Sequence, residues 1–220
     1  LLWAIEHQHQ DIVAWLLSED INISCYEVKK ATLMKNTAIL QLLFEKAWNI
    51  NTAFGWDDPP ALAYAVEDAN LTAWFLAHGA DPNASCPMDK TPLSAAVQYA
   101  PLSVVQMLFA NGGNVERGQL LHAAIWRKLD DRKTMVEYVL QRGAAVNAVL
   151  YQNRPEIYLM REPFGLGTPL HAAAAIGDED VLRVLIRHGA KLDIKDSRGF
   201  LAVERAEVNG HGSVAQFLRQ

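Results

Sequence analysis

Cysteine and long apolar runs are what this 220-residue sequence has least of. Its two cysteines, Cys25 and Cys86, are too few and too far apart for a disulfide framework or a cysteine-based zinc site. Such scarcity favours a reducing compartment, so we predict an intracellular protein, cytoplasmic or nuclear. No run of about 18 apolar residues occurs, which predicts that the chain does not enter a membrane.

Positive charge is scarce in the first half of the chain. Residues 1–116 contain 5 Lys and Arg against 13 Asp and Glu, whereas residues 117–220 contain 15 against 12. The two halves are therefore expected to attract surfaces of different charge. The net charge is −5 and no basic stripe with interleaved aromatics is present, which argues against nucleic acid as a partner.

What the sequence does have is a repeated pattern, clearest in the run GTPLHAAAAIG at residues 167–177. Thr168 can cap a helix whose first turn accepts Pro169, because the missing N–H of proline would be unpaired there. Gly177 permits the positive φ that ends a helix in a tight turn. A second helix with an apolar stripe follows at 180–187 and ends before Gly189. One unit is therefore a helix, a turn, a second helix and a loop.

Imperfect copies of this pattern return at a near-constant interval. Gly79 and Gly112 are 33 positions apart, and LAHGA at 76–80 and IRHGA at 186–190 are two versions of one helix end. The run TPL recurs at 91–93 and LHAA at 121–124. The pattern resembles the ankyrin repeat, in which two antiparallel helices and a projecting β-hairpin finger recur about every 33 residues.

The resemblance covers nearly the whole chain and implies an all-α ankyrin-repeat solenoid in one domain. About seven stacked helix-turn-helix units are expected, with short or irregular β-hairpin fingers and incomplete terminal units. The predicted boundaries are 1–24, 25–51, 52–85, 86–117, 118–148, 167–197 and 198–220, with an insertion at 149–166. The register of the second and third units stays open. The first unit should end its second helix at Asp20, and the whole chain reads as a fragment of a longer protein.

The insertion at 149–166 is the largest departure from the family pattern, since Gly143 and Gly189 are 46 positions apart. Closing the longer loop costs only about 1 kcal/mol, so a tolerated surface loop is one reading. However, two tyrosines, a phenylalanine, two arginines and two prolines suit packing or gripping better than a solvated linker. We therefore predict an ordered segment that folds over the groove near Tyr99 and Trp126.

The histidines and the acidic pairs are explained by structural roles rather than by metal binding or catalysis. The resemblance implies that His122 and His171 hydrogen-bond the backbone between units. Residues two apart on a helix, such as His7 and His9, do not face one metal ion. Acidic pairs such as 130–131 lie at helix starts, where the helix dipole favours negative charge. We therefore predict no metal, no cofactor and no catalytic residue.

In this family the two residues before the turn of each first helix, together with the finger tips, usually meet the partner. The equivalent positions here are Glu6/His7, Thr32/Leu33, Glu67/Asp68, Gln98/Tyr99, Trp126/Arg127, Ala175/Ile176 and Val208/Asn209. The partner-binding residues predicted from these positions, the fingers and the insertion are Trp56, Glu67, Asp68, Met88, Gln98, Tyr99, Trp126, Arg127, Tyr151, Arg154, Tyr158 and Arg161.

The six tryptophans divide into two predicted groups. Those at or beside apolar helix positions are expected in the core, namely Trp3, Trp15 and Trp74. Those in fingers or at exposed positions are interface candidates, because large amphipathic rings supply contact energy, namely Trp48, Trp56 and Trp126.

The resemblance implies a monomeric protein–protein interaction module or scaffold, which binds a protein partner through its concave groove and fingers and is not an enzyme. The alternative is a small-molecule binder or an unorthodox enzyme. Its pocket would form between the insertion and the groove, with Tyr151, Tyr158 or Arg161 beside Trp126 and a carboxylate such as Asp130.

Overall fold

The computed structural model describes residues 1–19, 21–46 and 48–220, and divides them into two compact units, Leu1–Gly118 and Gln119–Gln220. Every regular element in these ranges is a helix, and no strand occurs there, so the fingers are turns and extended chain. The all-α prediction is confirmed. The single-domain and fragment predictions stay predictions, and Asp20 lies outside the described residues.

The first unit contains four successive helix pairs, one for each of the first four predicted repeats. They are α1 (Leu2–Glu6) with α2 (Gln10–Ser18), α3 (Cys25–Leu33) with α4 (Thr37–Glu45), a 3-10 helix (Ala61–Tyr64) with α5 (Ala69–Ala77), and α6 (Pro92–Tyr99) with α7 (Leu102–Ala110).

The second unit contains three further pairs and the insertion. They are α8 (Leu120–Ile125) with α9 (Arg132–Gln141), the insertion helix α10 (Pro155–Arg161) with a 3-10 turn (Glu162–Phe164), α11 (Pro169–Ile176) with α12 (Glu179–Arg187), and α13 (Ala202–Val208) with α14 (Gly212–Leu218). Across the described ranges, none of these helices combines the length and the apolar run needed to cross a bilayer.

Within each unit, the first helix of a pair packs on the first helix of the next pair, and we call these first helices the inner helices. In the first unit they are α1, α3, the 3-10 helix and α6, and in the second unit α8, α11 and α13. The second helices form an outer layer in which α2 contacts α4, α5 contacts α7 and α9 contacts α12. Fully buried aliphatic side chains such as Ile5, Leu93 and Leu185 fill the space between the layers. This burial of apolar area is the main stabilising term.

The third repeat has the shortest inner helix, and this explains why its register was open in the sequence. Only the single 3-10 turn Ala61–Tyr64 forms after two consecutive prolines, with Leu62 buried on it. The chain then reaches Asp68, which caps α5 by accepting hydrogen bonds from the backbone of Asn70 and Leu71. The inner helix of this repeat is therefore shorter than those of the other repeats, which accounts for the residues that the repeat lacks.

Two regular inner helices begin at a threonine cap, Thr91 and Thr168. The residue three positions after the threonine determines whether the hydrogen bonds stay within the cap or extend to the next repeat. Thr91 Oγ1 accepts from Ser94 N at 3.0 Å, and Ser94 Oγ accepts from Thr91 N at 2.9 Å. In the second unit His171 Nδ1 accepts from Thr168 N at 3.1 Å, while His171 Nε2 lies 3.1 Å from the carbonyl of Phe200. Serine thus completes the local cap, whereas histidine also bonds to the next repeat.

Three asparagines, which we call the finger asparagines, join each finger to the next one in the same way: Asn51, Asn83 and Asn147. Each side-chain oxygen accepts a backbone N–H, and each side-chain nitrogen donates to a backbone carbonyl two residues earlier. The oxygen contacts are to the N–H groups of Asp81 (2.7 Å), Asn114 (2.7 Å) and Lys191 (2.9 Å). The nitrogen contacts are to the carbonyls of Gly79 (3.2 Å), Gly112 (2.9 Å) and Gly189 (3.0 Å).

We expect Asn83→Ala to lower the free energy of unfolding by about 1–3 kcal/mol, because two backbone groups of the next finger lose their partner. Urea unfolding followed by far-UV circular dichroism measures this change. The matched control is Asn70→Ala, since Asn70 is exposed on α5, and it should change stability by less than about 0.5 kcal/mol. Equal midpoints for the two variants would contradict the assigned role.

Candidate functional site

The C-terminal ends of the inner helices bring the predicted groove positions into one row within each unit, which we call the ladder edge. In the first unit α1 ends at Glu6, α3 at Leu33 and α6 at Tyr99. In the second unit Trp126 caps α8, while α11 ends at Ile176 and α13 at Val208. Because neighbouring inner helices pack side by side, the residues that end them lie along the same edge.

Five residues of the ladder edge are large, apolar and exposed. Their exposed fractions are 55% for Leu33, 53% for Tyr99, 41% for Trp126, 37% for Ile176 and 72% for Val208. A single exposed apolar side chain is ordinary, but repetition at one structural position is typical of a contact surface. Ile176 and Val208 belong to the predicted row, although they were not among the predicted contact residues.

Ion pairs between neighbouring repeats hold the acidic part of the ladder edge. Glu6 pairs with Lys30 at 2.9 Å and Asp68 with Lys35 at 2.8 Å. The hydrogen bond from Lys35, aided by the backbone N–H of Leu71, lowers the pKa of Asp68. Asp68 is therefore both a helix cap and an ion-pair partner, while the neighbouring Glu67 is exposed.

Arg127, predicted as a contact residue, is wholly buried instead. Its Nε donates to Asp131 Oδ1 at 2.6 Å and its Nη2 to Oδ2 at 2.9 Å, and this pairing lowers the pKa of Asp131. The Nε of Arg132 donates to the carbonyl of Arg127 at 2.6 Å. A buried bidentate guanidinium stabilises the turn between α8 and α9 and is not available as an exposed contact, which corrects the prediction.

A shallow hollow of about 530 Å³ opens beside Ile176, where α11 turns into α12. Its lining residues are Arg132, Ile176, Gly177, Asp178, Glu179, Asp180 and Arg183. The carboxylates are paired with cations: Asp178 with Arg132 at 2.7 Å, Glu179 with Arg183 Nε at 3.1 Å and Asp180 with Lys133 at 3.5 Å. The hollow extends the ladder edge with alternating charge and contains none of the insertion residues.

Two further predicted contact residues, Trp56 and Met88, lie at the finger of the third repeat and differ in exposure. Trp56 is 51% exposed, whereas Met88 is only 3% exposed. The backbone N–H of Met88 donates to the carbonyl of Trp56 at 3.2 Å. Met88 therefore packs beneath the finger and supports it, and Trp56 alone is placed to meet a partner. Gln98 is half-buried beside the exposed Tyr99 on α6.

The insertion is anchored at the N-terminal ends of the inner helices. The backbone N–H of Tyr151 donates to Gln119 Oε1 at 3.3 Å, and that of Leu150 to the carbonyl of Gly167 at 3.0 Å. Gln119 and Gly167 precede α8 and α11, whereas Trp126 and Ile176 end them. These anchors agree with the prediction that the segment is ordered. They do not agree with the prediction that it folds over the groove beside Trp126. Proximity to Tyr99 stays a prediction.

The predicted contact residues of the insertion are only partly exposed. Tyr151, Arg154, Tyr158 and Arg161 are all half-buried. Ile157 of α10 is buried and holds the helix against the rest of the unit. The most exposed large side chains of the insertion are ones that the sequence reasoning did not select, Leu159, Met160 and Phe164.

Comparison with known proteins places this arrangement in a family. The ankyrin-repeat model matches residues 167–197. Cyclin-dependent kinase 4 inhibitor B of Rattus norvegicus is 44% identical over 103 residues, which cover 38% of this chain and 79% of that protein. The chain belongs to the ankyrin-repeat family.

Other relatives of this ankyrin-repeat chain match over smaller shares of their own lengths. Cyclin-dependent kinase 4 inhibitor B of Homo sapiens is 48% identical over 58 residues, 26% of this chain and 42% of that protein. Putative palmitoyltransferase ZDHHC13 of Danio rerio is 23% identical over 184 residues, 80% of this chain and 26% of that protein. The chain thus spans about two fifths of the human relative's length.

Two tryptophans of the first ankyrin repeat are exposed rather than buried, so their predicted core positions are wrong. Trp3 is 59% and Trp15 60% exposed, while Ile5 and Val13 face the core. In helices this short the apolar periodicity does not say which face points inward. Trp74, also predicted as core, is half-buried and stacks on Phe44 with ring centroids 5.7 Å apart. Among the interface candidates, Trp48 is half-buried and packs near Phe54.

The histidines of the ankyrin motif bond between repeats, as the resemblance implies. His122 is buried, with its Nε2 3.1 Å from the carbonyl of Gly167. His211 Nε2 lies 3.1 Å from the carbonyl of Ala175 in the preceding repeat. This contact requires glycine at 177, because a Cβ there would lie 2.4 Å from His211 Nδ1. Among the described residues no three His, Cys, Asp or Glu side chains are grouped to hold a metal ion.

A polar cluster between the second and third ankyrin repeats was not found by sequence reasoning. Lys29 Nζ donates to Asp58 Oδ2 at 2.7 Å and lies 3.0 Å from the Tyr64 hydroxyl, which contacts the other oxygen of Asp58. Burial raises the pKa of Tyr64. Burial also opposes the charge of Lys29, but its hydrogen bonds to Asp58 and Tyr64 outweigh this and raise its pKa. At neutral pH a raised pKa makes neither Lys29 nor Tyr64 a better base or nucleophile. The hydrogen bonds of the cluster join the second repeat to the third.

The buried His122 should make stability depend on pH. Burial lowers its pKa from 6.5 to about 4, so the unfolded chain takes up a proton that the folded chain refuses. Stability is therefore unaffected above pH 6.5, falls as the pH drops towards 4, and loses on the order of 3 kcal/mol from this group. Urea unfolding of the parent and of His122→Gln at several pH values measures the difference.

The expected result is that His122→Gln flattens the decline between pH 6.5 and pH 4, because glutamine can donate to the Gly167 carbonyl without titrating. The control is His78→Gln, since His78 is exposed, and it should keep the decline of the parent. The same slope in all three proteins would contradict the assignment.

Proposed function

We propose that this ankyrin-repeat chain is a protein-binding module and not an enzyme, and that its main contact surface is the ladder edge. The observation that carries the proposal is that large exposed residues end inner helices within each unit, namely Leu33 and Tyr99 in the first unit and Trp126, Ile176 and Val208 in the second. Inner helices held by hydrogen bonds between repeats present these side chains without loss of backbone freedom, which lowers the entropic cost of binding.

The contact surface combines predicted contact residues with three exposed helix-end residues that were not among them, Leu33, Ile176 and Val208. Of the predicted set, Trp56, Glu67, Gln98, Tyr99 and Trp126 are exposed or half-buried. Arg127 and Met88 are left out because they are buried, and the exposed apolar residues Ile176 and Val208 take their place. Aromatic residues surrounded by partly polar neighbours are typical anchors of protein interfaces.

The charge along the chain indicates what each unit should meet. The ladder edge of the first unit carries Glu6, Glu67 and Asp68, within a segment that has 5 basic and 13 acidic residues. The ladder edge of the second unit is apolar. A partner should therefore present basic side chains to the first unit and an apolar surface to the second, since complementary potentials set specificity and association rate.

The small-molecule or enzyme alternative is favoured by no particular observation. The hollow beside Ile176 is lined by paired charges, and Asp130, the carboxylate named for this pocket, is exposed and does not line the hollow. The insertion, which was to close the pocket, is anchored at the other end of the inner helices from Trp126. An intracellular location and a monomeric state stay predictions.

Trp126→Ala should remove the aromatic anchor of the apolar ladder edge of the second unit and weaken partner capture by about 2 kcal/mol, or roughly thirtyfold in Kd. Affinity capture followed by mass spectrometry, and then titration of the captured protein, measures this loss. The matched control is Trp15→Ala, because Trp15 is a tryptophan that is even more exposed than Trp126 and lies on the outer helix α2. If both variants lost the same proteins equally, the ladder edge would not be the contact surface.

The names of the relatives supply a first partner to test. Cyclin-dependent kinase 4 is the kinase named for the rat and human relatives, so a protein kinase domain is a reasonable probe for this chain. Binding of that kinase, lost in Trp126→Ala and kept in Trp15→Ala, would support a kinase as the partner. Absence of binding to the parent would exclude that kinase, and equal binding to both variants would place its contact outside the ladder edge. Capture of other proteins still tests the module.

A further inference from the structure

The insertion presents an apolar face that the fold does not use. Leu159 is 69%, Met160 45% and Phe164 71% exposed, although each has a large apolar side chain. Ile157, two positions before Leu159 on α10, is buried. The face formed by Leu159, Met160 and Phe164, which we call the insertion face, is therefore turned away from the core.

The insertion face is held in place by a single serine of the next finger. Ser197 Oγ donates to the carbonyl of Glu162 at 2.6 Å and accepts from the backbone N–H of Leu166 at 2.8 Å. The backbone N–H of Ser197 donates to the carbonyl of Leu166 at 2.9 Å. These bonds bracket Phe164 on both sides. The exposed apolar side chains thus belong to a fixed element and not to a loop that could fold them inward.

Two guanidinium groups flank the face. The Cζ of Arg161 lies 5.8 Å from the centre of the Phe164 ring. Arg198 passes the residue after Phe164, because a Cβ on Gly165 would lie 3.3 Å from Arg198 Cδ. Its Cζ lies 5.4 Å from the centre of the Phe200 ring. Cations placed on aromatic rings in this way keep part of their charge available to a partner.

These two arginines differ from their neighbours in lacking a carboxylate. Arg132, Arg183 and Arg205 of the same unit pair with Asp178, Glu179 and Asp196. Among the described residues no carboxylate pairs with Arg161 or Arg198. The nearby Glu156 and Glu162 stand in the first turns of α10 and of the 3-10 turn, where the helix dipole favours them.

We propose that the insertion face is a second contact surface, which takes an acidic and apolar segment of a protein partner. Apolar side chains of that segment cover Leu159, Met160 and Phe164, and its carboxylates pair with Arg161 and Arg198. The proposal rests on the proposed protein-binding function and adds to it a partner chemistry and a surface distinct from the ladder edge. Guanidinium groups next to an apolar face favour carboxylates in planar, bidentate pairs.

A bilayer with anionic lipids would also attract apolar and cationic groups, but the insertion fits it less well. Stable attachment to such a surface uses clusters of several basic residues. Among the described residues, Arg161 and Arg198 are the two arginines beside the face that lack a carboxylate partner, because the neighbouring Arg205 pairs with Asp196. Glu156 and Glu162 are exposed on the same short segment. Those carboxylates would be repelled by anionic lipids, whereas a protein segment can avoid them.

The test uses a fluorescent amphipathic peptide with leucine and phenylalanine on one face and glutamate on the other, and its counterpart with lysine in place of glutamate. Fluorescence polarisation with the full chain should show the glutamate peptide bound at least about tenfold more tightly, with an affinity that falls as salt is added. Leu159→Ser with Phe164→Ser should abolish binding. Arg161→Gln with Arg198→Gln should remove the preference for glutamate.

The controls separate this surface from other effects. Arg187→Gln makes the same change on the outer helix α12 and should leave peptide binding unaltered, and circular dichroism confirms that each variant is folded. Trp126→Ala should keep peptide binding while it loses capture at the ladder edge. If the glutamate peptide fails to bind the parent while Trp126→Ala still loses its partner, the insertion-face proposal fails and the protein-binding function stands.

Three other results would overturn the proposal. Equal affinity for the two peptides would mean unspecific apolar adsorption. Binding to phosphatidylserine vesicles that is lost in the Leu159→Ser and Phe164→Ser variant, without preference for the glutamate peptide, would assign the face to a membrane surface. Sedimentation showing self-association that this variant abolishes would make a second copy of the chain the occupant.

Discussion

The bidentate contact of each finger asparagine is the interaction on which the repeat arrangement depends. A helix pair cannot bury its apolar face alone, so each repeat must be held in register with the next. Asn51, Asn83 and Asn147 do this with one acceptor and one donor, both matched to backbone groups. Because backbone groups are present whatever the sequence, the same contact can be made at irregular and regular repeats alike.

This contact also explains how the chain accommodates its irregularities. Asn51 and Asn83 bond to residues about 30 positions ahead, whereas Asn147 reaches Lys191 across the whole insertion. The extra residues of the insertion lie between Asn147 and Lys191 in sequence and do not change the hydrogen bonds between these neighbouring fingers. The insertion could therefore acquire its own helix and an exposed apolar face while α11 still packs on α8.

Buried ion pairs also stabilise the arrangement of repeats, and their members are not available to contact a partner. Arg127 is paired with Asp131, and the buried Asp196 with Arg205. Each pair ties a turn or finger to the helix that follows, and a buried charge is tolerated only with such a partner. The exposed apolar residues proposed for recognition, such as Tyr99, Trp126 and Leu159, carry no charge and take no part in such pairs.

The sequence by itself determined the period, the helix pairs, the caps and the row of helix ends, because these follow from local spacing and from Thr, Pro and Gly chemistry. It also located the insertion. Only the tertiary structure decided that Arg127 is buried, that Trp3 and Trp15 are exposed, and that Leu159, Met160 and Phe164 face outward. The reason is physical: which face of a short helix is covered depends on residues distant in sequence, such as Ser197 beside the insertion.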